Sequence, residues 1–170
     1  MNIRPELPDD VPTIRAINDA AFEQEEEGAI VDAIRDAGCD SVSLVAEEDG
    51  AVVGHILFSP AVVEGPERPV VGMGLAPMAV APDRQRDGIG SRLVRAGLEM
   101  LRERGCPFVI VLGHPEYYPR FGFEPASRHG LTCQWEGVPD EAFLILIENE
   151  KVMESVRGTV RYRDEFDAAM

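Results

Sequence analysis

Residues 81–94 read APDRQRDGIGSRLV, and this stretch decides the fold. A proline and a turn-like Asp83-Arg84 pair come first. Gly88 and Gly90 follow, and then an apolar-periodic run begins. Ile89, Leu93, Gly97 and Leu101 fall on one helical stripe, with Val94 and Leu98 beside it. Arg102 and Arg104 suit the end of that helix, Gly105 suits the position just past it, and Pro107 blocks continuation. Upstream lies an apolar segment, Val70–Val80. Downstream, Phe108–Leu112 (FVIVL) is an unbroken apolar run, which predicts a central strand buried on both faces. A strand feeding a glycine-rich turn into a helix is an anion site. The first-turn amides have no intrahelical partner and carry partial positive charge, and glycines let a phosphate approach the backbone. The spacing Gln85-x-x-Gly88-x-Gly90 is neither the P-loop nor the dinucleotide fingerprint. Arg84, Arg86, Arg92 and Arg95 make a local basic cluster in a chain of formal charge −15.

Outward from this stretch, residues 2–4 read as a short strand. Pro8-Asp9-Asp10 reads as a helix start with Asp as cap and Pro12 tolerated in the first turn, and Val11, Ile14 and Ile17 keep helical spacing. The acidic run EQEEEG (23–28) precedes a second short helix marked by Ile30, Val31 and Ile34 and stopped near Gly38. Residues 43–48 and 51–59 predict two strands joined by a hairpin at Asp49-Gly50. A loop rich in Gly and Pro, EGPERP (64–69), leads into Val70–Val80. Gly113-His114-Pro115 breaks the central strand, a short helical or turn segment EYYPRF leads to Gly122-Phe123, and later strands fall at Phe143–Ile147 and 159–162. No repeat or linker interrupts residues 1–170, so one domain is expected, with a mixed α/β sheet and helices on both faces.

Composition narrows the function classes. The chain has 31 acids against 16 bases, and Lys151 is its lone lysine. Nucleic acid is disfavoured as a partner, because its phosphates would be repelled. The excess fits a salt-adapted or high-GC source first and a cationic substrate second. The acidic run at 23–27 is read as a solvated surface. No apolar run of about 18 residues or secretory core is present, so no membrane partner and a cytoplasmic location are expected. Cys39, Cys106 and Cys133 lack metal-like spacing and are read as reduced thiols rather than covalent carriers. His55, His114 and His129 form no HxxxH-type pair, so no metal site is expected.

Taken whole, residues 81–94 resemble motif A of the GNAT acetyltransferase superfamily, [Q/R]-x-x-G-x-[G/A] between a central strand and a long helix. YYPRFGF (117–123) resembles the superfamily's Tyr-x-x-x-Gly-Phe after the next strand. The segments GLAPMAVAP, VLGHPEYYPRFGFEPA, VPDEAF, GTVRYRDEF, AINDAAFEQEEEGAIVDAIR and VVGHILFSP are similar to the YhbS-like subgroup of predicted N-acetyltransferases. The resemblance covers nearly the whole chain. It implies a GNAT-type mixed, mostly antiparallel central sheet with a V-shaped splay between the two central strands, Val70–Val80 and Phe108–Leu112. It implies acetyl-CoA as co-substrate, the backbone of Met78, Ala79 and Val80 bonding the pantetheine arm, and the amides of Arg86, Asp87, Gly88, Ile89, Gly90 and Ser91 cradling the pyrophosphate. At the position of a coenzyme-contacting Asn found in many members, this chain has Val111.

The chemistry implied is acetyl transfer to a primary amine by direct attack. The amine must lose a proton, the developing oxyanion needs a donor such as a backbone N–H on the first splayed strand, and the leaving thiolate benefits from an acid. Tyr118 stands where the family's acid stands, with Tyr117 as the adjacent alternative. His114 follows the strand end and is the candidate base, with Glu116 and Glu27 competing. The acceptor is a small-molecule or peptide amine, and the chain is expected as a monomer or homodimer. A sensor that holds acyl-CoA without turnover, or an interaction module, is the alternative on the same fold.

Overall fold

A computed structural model of the protein describes residues 1–64 and 68–170, and most of the Gly/Pro-rich loop read between two strands, residues 65–67, lies outside them. The Asp49-Gly50 turn closes the hairpin between β2 (Val42–Glu48) and β3 (Ala51–Glu64) as its chemistry predicts, with both residues at positive φ. Strand β1 (Asn2–Pro5) pairs antiparallel on the outer side of β2, and β4 (Val70–Val80) pairs antiparallel with β3. Strand β5 (Phe108–Leu112) lies parallel to β4, and β8 (Phe143–Ile147) lies antiparallel to β5. Three short strands complete the sheet. Strand β6 (Glu124–Pro125) borders β8, while β9 (Gly158–Arg161) pairs with the far half of β3 and with β7 (Leu131–Cys133). The sheet is thus mixed and mostly antiparallel, as expected.

Strand β3 outruns its predicted end at Ser59 and continues through Pro60 to Glu64. The proline is tolerated because β2 stops pairing at Phe58 and β9 starts only at Val62. The flank at Pro60 therefore needs no ladder donor.

Helices cover both faces. Ile14 of α1 (Val11–Phe22) and Ile30, Val31 and Ile34 of α2 (Glu26–Ala37) pack with Val45, Leu57, Ile110 and Ile145 on one face. Leu93, Val94, Leu98 and Leu101 of α3 (Ile89–Glu103) pack with Leu44, Ile56, Phe58 and Val109 on the other. Alternate residues of β5 feed opposite layers, which is why FVIVL is apolar throughout. Gly97 of α3 sits directly on the Phe58 ring, where a Cβ would collide. Helix α3 closes as its sequence predicts: Gly105 is left-handed, its N–H bonds Arg102 O at 3.0 Å, and Cys106 N–H bonds Leu101 O at 3.0 Å.

The predicted aspartate cap of α1 is not formed. The Asp10 carboxylate turns back to accept the Leu7 N–H at 2.7 Å and guanidinium bonds from Arg4 at 2.7 and 3.1 Å. The two-bond guanidinium fork and the Leu7 N–H together take up the carboxylate that a cap would need. The same economy recurs wherever one arginine fork holds two acids. Arg4 bridges Asp10 and Glu47, Arg15 bridges Asp19 and Asp32, and Arg35 bridges Asp32 and Glu6.

A buried polar chain ties α1 to the sheet. Asn18 donates its amide to His55 Nδ1 at 3.2 Å and to Ile14 O at 3.0 Å, and both Asn18 and His55 are fully buried. With Nδ1 accepting, the ring proton sits on Nε2 and is donated to Ser43 Oγ at 2.8 Å. Ser43 then donates to Glu6, which Arg35 also holds at 2.7 Å. Burial pushes His55 down to about 4, against the opposing pull of Glu6. Burial alone would raise Glu6, but the Arg35 and Ser43 bonds outweigh it and hold the carboxyl below its usual range.

This arrangement predicts an acid-labile fold. The unfolded chain protonates His55 near its ordinary 6.5 and the folded chain only near 4, so the His55 contribution is complete above pH 6.5 and is lost as pH falls toward 4. The loss is on the order of 3 kcal/mol. Denaturant titrations across that range should show a slope that His55→Gln removes. The depressed carboxyls of Glu6 and Asp10 add a separate loss at lower pH, as each is protonated.

Candidate active site

Strands β4 and β5 pair over only three positions, Met73↔Val109, Gly74↔Ile110 and Leu75↔Val111. Beyond Leu75, β4 stays with β3 and continues to Val80, while β5 ends at Leu112. The strands therefore part and leave a V. A register shift between Ile56 and Phe58 puts one extra β4 residue around Ala76-Pro77, a bulge at the point of parting. The Ala76-Pro77 bond is cis.

A cleft of about 1110 Å³ occupies the V. Its walls include Leu75, Ala76, Pro77, Met78, Ala79 and Val80 from β4, and Gln85, Arg86, Gly88, Gly90 and Ser91 from the turn and the start of α3. His114, Glu116, Tyr117 and Tyr118 line it after β5, with Glu27 of α2. Nearly every candidate read from the sequence therefore meets in one place. Two do not line it with their side chains. Asp87 is drawn off by Arg84, and the Ile89 side chain is buried in the core, which leaves its backbone amide at the helix start.

The turn before α3 is built to present amides. Gly88 at φ 81° and Arg86 at φ 68° are left-handed. No side chain caps the helix, and its first bond runs from Arg92 N–H to Gly88 O at 3.1 Å. The amides of Ile89, Gly90 and Ser91 are thus without intrahelical acceptors. A Cβ on Gly90 would stand 3.3 Å from Met78 Cε and 3.4 Å from the Tyr117 hydroxyl, inside the mouth of this cradle. Gln85 ties the turn to β4 by donating to Val80 O at 3.1 Å. The residues present fit a bound pyrophosphate.

The basic cluster divides on folding. Arg84 is engaged by Glu48 and Asp87, and Arg95 lies over the Phe121 ring at 5.1 Å. Arg86 lines the cleft, joined by Arg120, which stacks on Tyr117 at 4.5 Å. Sequence proximity alone could not separate the structural arginines from those facing the cleft.

The two adjacent tyrosines are differently placed. The Tyr117 hydroxyl meets Ser91 Oγ at 2.9 Å, beside the helix start. Tyr118 is 7% exposed, with its ring on Gly113, where a Cβ would collide, and edge-on to Phe123 at 5.7 Å. Burial pushes its phenol above the ordinary value, with a smaller push from Tyr117. His114 is exposed, and its carbonyl accepts the N–H groups of Tyr117 at 3.1 Å and Tyr118 at 3.3 Å. Three residues with no site role in the sequence reading also line the cleft: Trp135, Tyr162 and Phe166. Tyr162 and Phe166 stand in GTVRYRDEF and Trp135 just after β7, and the pairing of β9 with β3 and β7 brings them in. Among the described residues, no group of three or more His, Cys, Asp or Glu could hold a metal ion, and no helix is long and apolar enough to cross a membrane.

Comparison with known proteins places the chain in a family. Residues 2–126 match the acetyltransferase (GNAT) domain model, and the chain belongs to the GNAT acetyltransferase family, a family of acyltransferases. It is similar to the N-acetyltransferase YhbS of Escherichia coli K12, 39% identical over 98% of this chain and 99% of that protein. It is also similar to the E. coli K12 N-acetyltransferase YjhQ, 42% identical over 78% of this chain and 74% of that one. The crystal structure of E. coli YhbS in complex with CoA superposes with a TM-score of 0.91 at 36% identity, over 98% of this chain and 91% of that one. A Brucella melitensis GNAT family acetyltransferase in complex with acetyl-CoA gives 0.79 at 38% identity, over 98% and 97%.

Burial of two phenols has a direct spectroscopic consequence. Tyr118 and Tyr162 are both held protonated beyond their ordinary range. In the folded state at about pH 11, Tyr118→Phe and Tyr162→Phe should show the same phenolate absorbance as the parent chain. After unfolding in guanidinium, each variant should show one phenolate fewer.

Proposed function

We propose that residues 1–170 form one N-acetyltransferase domain that moves the acetyl group of acetyl-CoA to a primary amine by direct attack. The parting of β4 and β5 beside an uncapped helix start carries this reading, because it gives a thioester and an amine one slot in which to meet. The coenzyme supplies the activated acetyl group and a thiolate leaving group. The amides of residues 86–91 hold the pyrophosphate with Arg86 and Arg120 nearby, and the β4 backbone at Met78, Ala79 and Val80 holds the pantetheine arm.

Tyr118 holds a proton at its hydroxyl for the leaving sulfur. Its place on the cleft wall after β5 supports the role, and a phenol is in the acid form at neutral pH without any help from burial. Tyr117 is engaged by Ser91 at the helix start and acts in the cradle rather than on the sulfur. An amide of β4 beside the bulge faces the developing oxyanion. Pro77 is removed from the candidates because it has no N–H. His114, at the end of β5 on the cleft wall, takes the proton of the amine, with Glu116 and Glu27 as the other bases within the lining.

Tyr118→Phe should leave coenzyme affinity nearly unchanged and lower turnover about 10²–10⁴-fold, while Tyr117→Phe should affect affinity more than turnover. An alkaline limb due to Tyr118 should lie above about pH 11, because burial raises its phenol, and should be absent in Tyr118→Phe. A screen of amines by free-thiol release supplies the assay. Coenzyme binding without turnover on any amine would favour a sensor instead.

Gly90→Val tests the cradle separately. A Cβ at this position comes nearest to the side-chain ends of Met78 and Tyr117, which can shift, so the fold should survive. Calorimetric CoA affinity should fall by at least about tenfold, equivalent to about 1.4 kcal/mol. Unchanged affinity would place the pyrophosphate elsewhere.

A further inference from the structure

Two carboxylates stand beside the proposed pyrophosphate cradle, where a polyanion would be repelled. The amide of Asp87 belongs to that cradle, yet its side chain is an acid 57% exposed, and Glu48 reaches the same turn from the end of β2. Both hold Arg84. Its Nη2 donates to Glu48, and its Nε donates to Asp87 at 3.4 Å. Arg84 is not part of the cleft wall, although Gln85, Arg86 and Gly88 are. Its guanidinium is spent on two acids outside the space a ligand would fill.

The backbone shows what these bonds act on. Arg86 is left-handed at φ 68°, a conformation that a residue with a Cβ adopts rarely and at a cost. Three side-chain bonds tie the turn around it. Gln85 donates to Val80 O at 3.1 Å, and Arg84 supplies the other two. The Arg84–Asp87 bond spans Gln85 and Arg86, so it closes the turn over the left-handed residue. The Arg84–Glu48 bond fastens the closed turn to the β2–β3 hairpin, which is itself joined to the same segment by Ala81 N–H bonding Val53 O at 2.9 Å.

We propose that Arg84 is a positioning residue for the coenzyme. Held by Glu48 and Asp87, it keeps the turn in the shape that aims the amides of residues 86–91 at the pyrophosphate before the coenzyme arrives. The proposal rests on the pyrophosphate reading of the cradle. The two acids weaken the attraction for a polyanion directly and strengthen it through Arg84, and the second effect is the larger.

Charge and geometry predict opposite signs. By charge alone, Glu48→Ala should tighten CoA, because one negative group leaves the neighbourhood. By positioning, Glu48→Ala should raise the calorimetric CoA Kd about three- to fivefold, the range of a partly exposed ion pair. Glu48→Gln removes the same charge but keeps an acceptor for the guanidinium, so its Kd should lie nearer the parent value. Arg84→Ala should weaken CoA less in the Glu48→Ala background than in the parent chain, because the pair acts as a unit. Without ligand, the amide resonances of Gly88 and Gly90 should shift in Glu48→Ala and lie near their parent positions in Glu48→Gln. The Gly105 resonance, at the far end of α3, should stay in place in both. All variants should melt within about 4 °C of the parent, and a larger fall would make the pair a support of the whole fold and overturn the proposal. Equal or tighter CoA binding in Glu48→Ala, the same Kd in Glu48→Ala and Glu48→Gln, or additive effects of the two alanines overturns it too. Gly90→Val separates the two readings. If it leaves CoA affinity unchanged, the pyrophosphate reading falls and this proposal falls with it. If it weakens CoA while Glu48→Ala does not, the cradle stands and the positioning role alone is overturned.

Discussion

Everything in this molecule that bears on chemistry depends on how short the parallel contact between β4 and β5 is. After Leu75 and Val111 the two strands lose each other, and the sheet opens without breaking, because β4 stays zipped to β3 and β5 to β8. A gap in the middle of a sheet exposes backbone groups that must find other partners. Here the opening is edged by the β4 bulge, by the α3 start and by the rings of Tyr118 and Tyr162. Gly74 and Gly113 are what let those tyrosines in, since a Cβ at either would occupy the ring.

Charge is distributed to suit this opening. With acids outnumbering bases 31 to 16, most arginines are committed to carboxylates elsewhere, often two at a time. Arg86 and Arg120 remain along one side of the cleft, beside amides that carry their own partial positive charge. The other side is aromatic, with Glu27 as its carboxylate. One cleft thus offers an anion-friendly wall and a cation-tolerant wall, the division that a polyanionic coenzyme and an amine would require.

The buried polar chain through Asn18, His55, Ser43 and Glu6 has a different task. It runs in one direction of donation from the α1 layer into β3, β2 and the N-terminal segment. Such a chain is satisfied only when α1 sits at one height and angle on the sheet, so it fixes the register of the helix whose far end, at Ala21 and Phe22, lines the cleft. A greasy contact at the same place would hold α1 as firmly but would tolerate sliding.

The sequence by itself determined the local devices. Glycines and prolines mark the hairpin at Asp49-Gly50, the α3 start at Gly88 and its end at Gly105, because positive φ and a missing N–H are properties of single residues. The apolar run 108–112 declared a strand buried on both faces, and the glycines of the motif at 85–90 marked an uncapped helix start. Tertiary structure decided what sequence neighbours could not. It assigned Arg84 to Glu48 and Asp87 and left Arg86 to the cleft. It sent Asp10 to Arg4 instead of to a helix cap. It separated Tyr117, against Ser91, from Tyr118, against Gly113. It carried Trp135, Tyr162 and Phe166 into the cleft through the pairing of β9 with β3 and β7. Those outcomes depend on competition between partners distant in the chain, and that competition exists only once the sheet has brought them together.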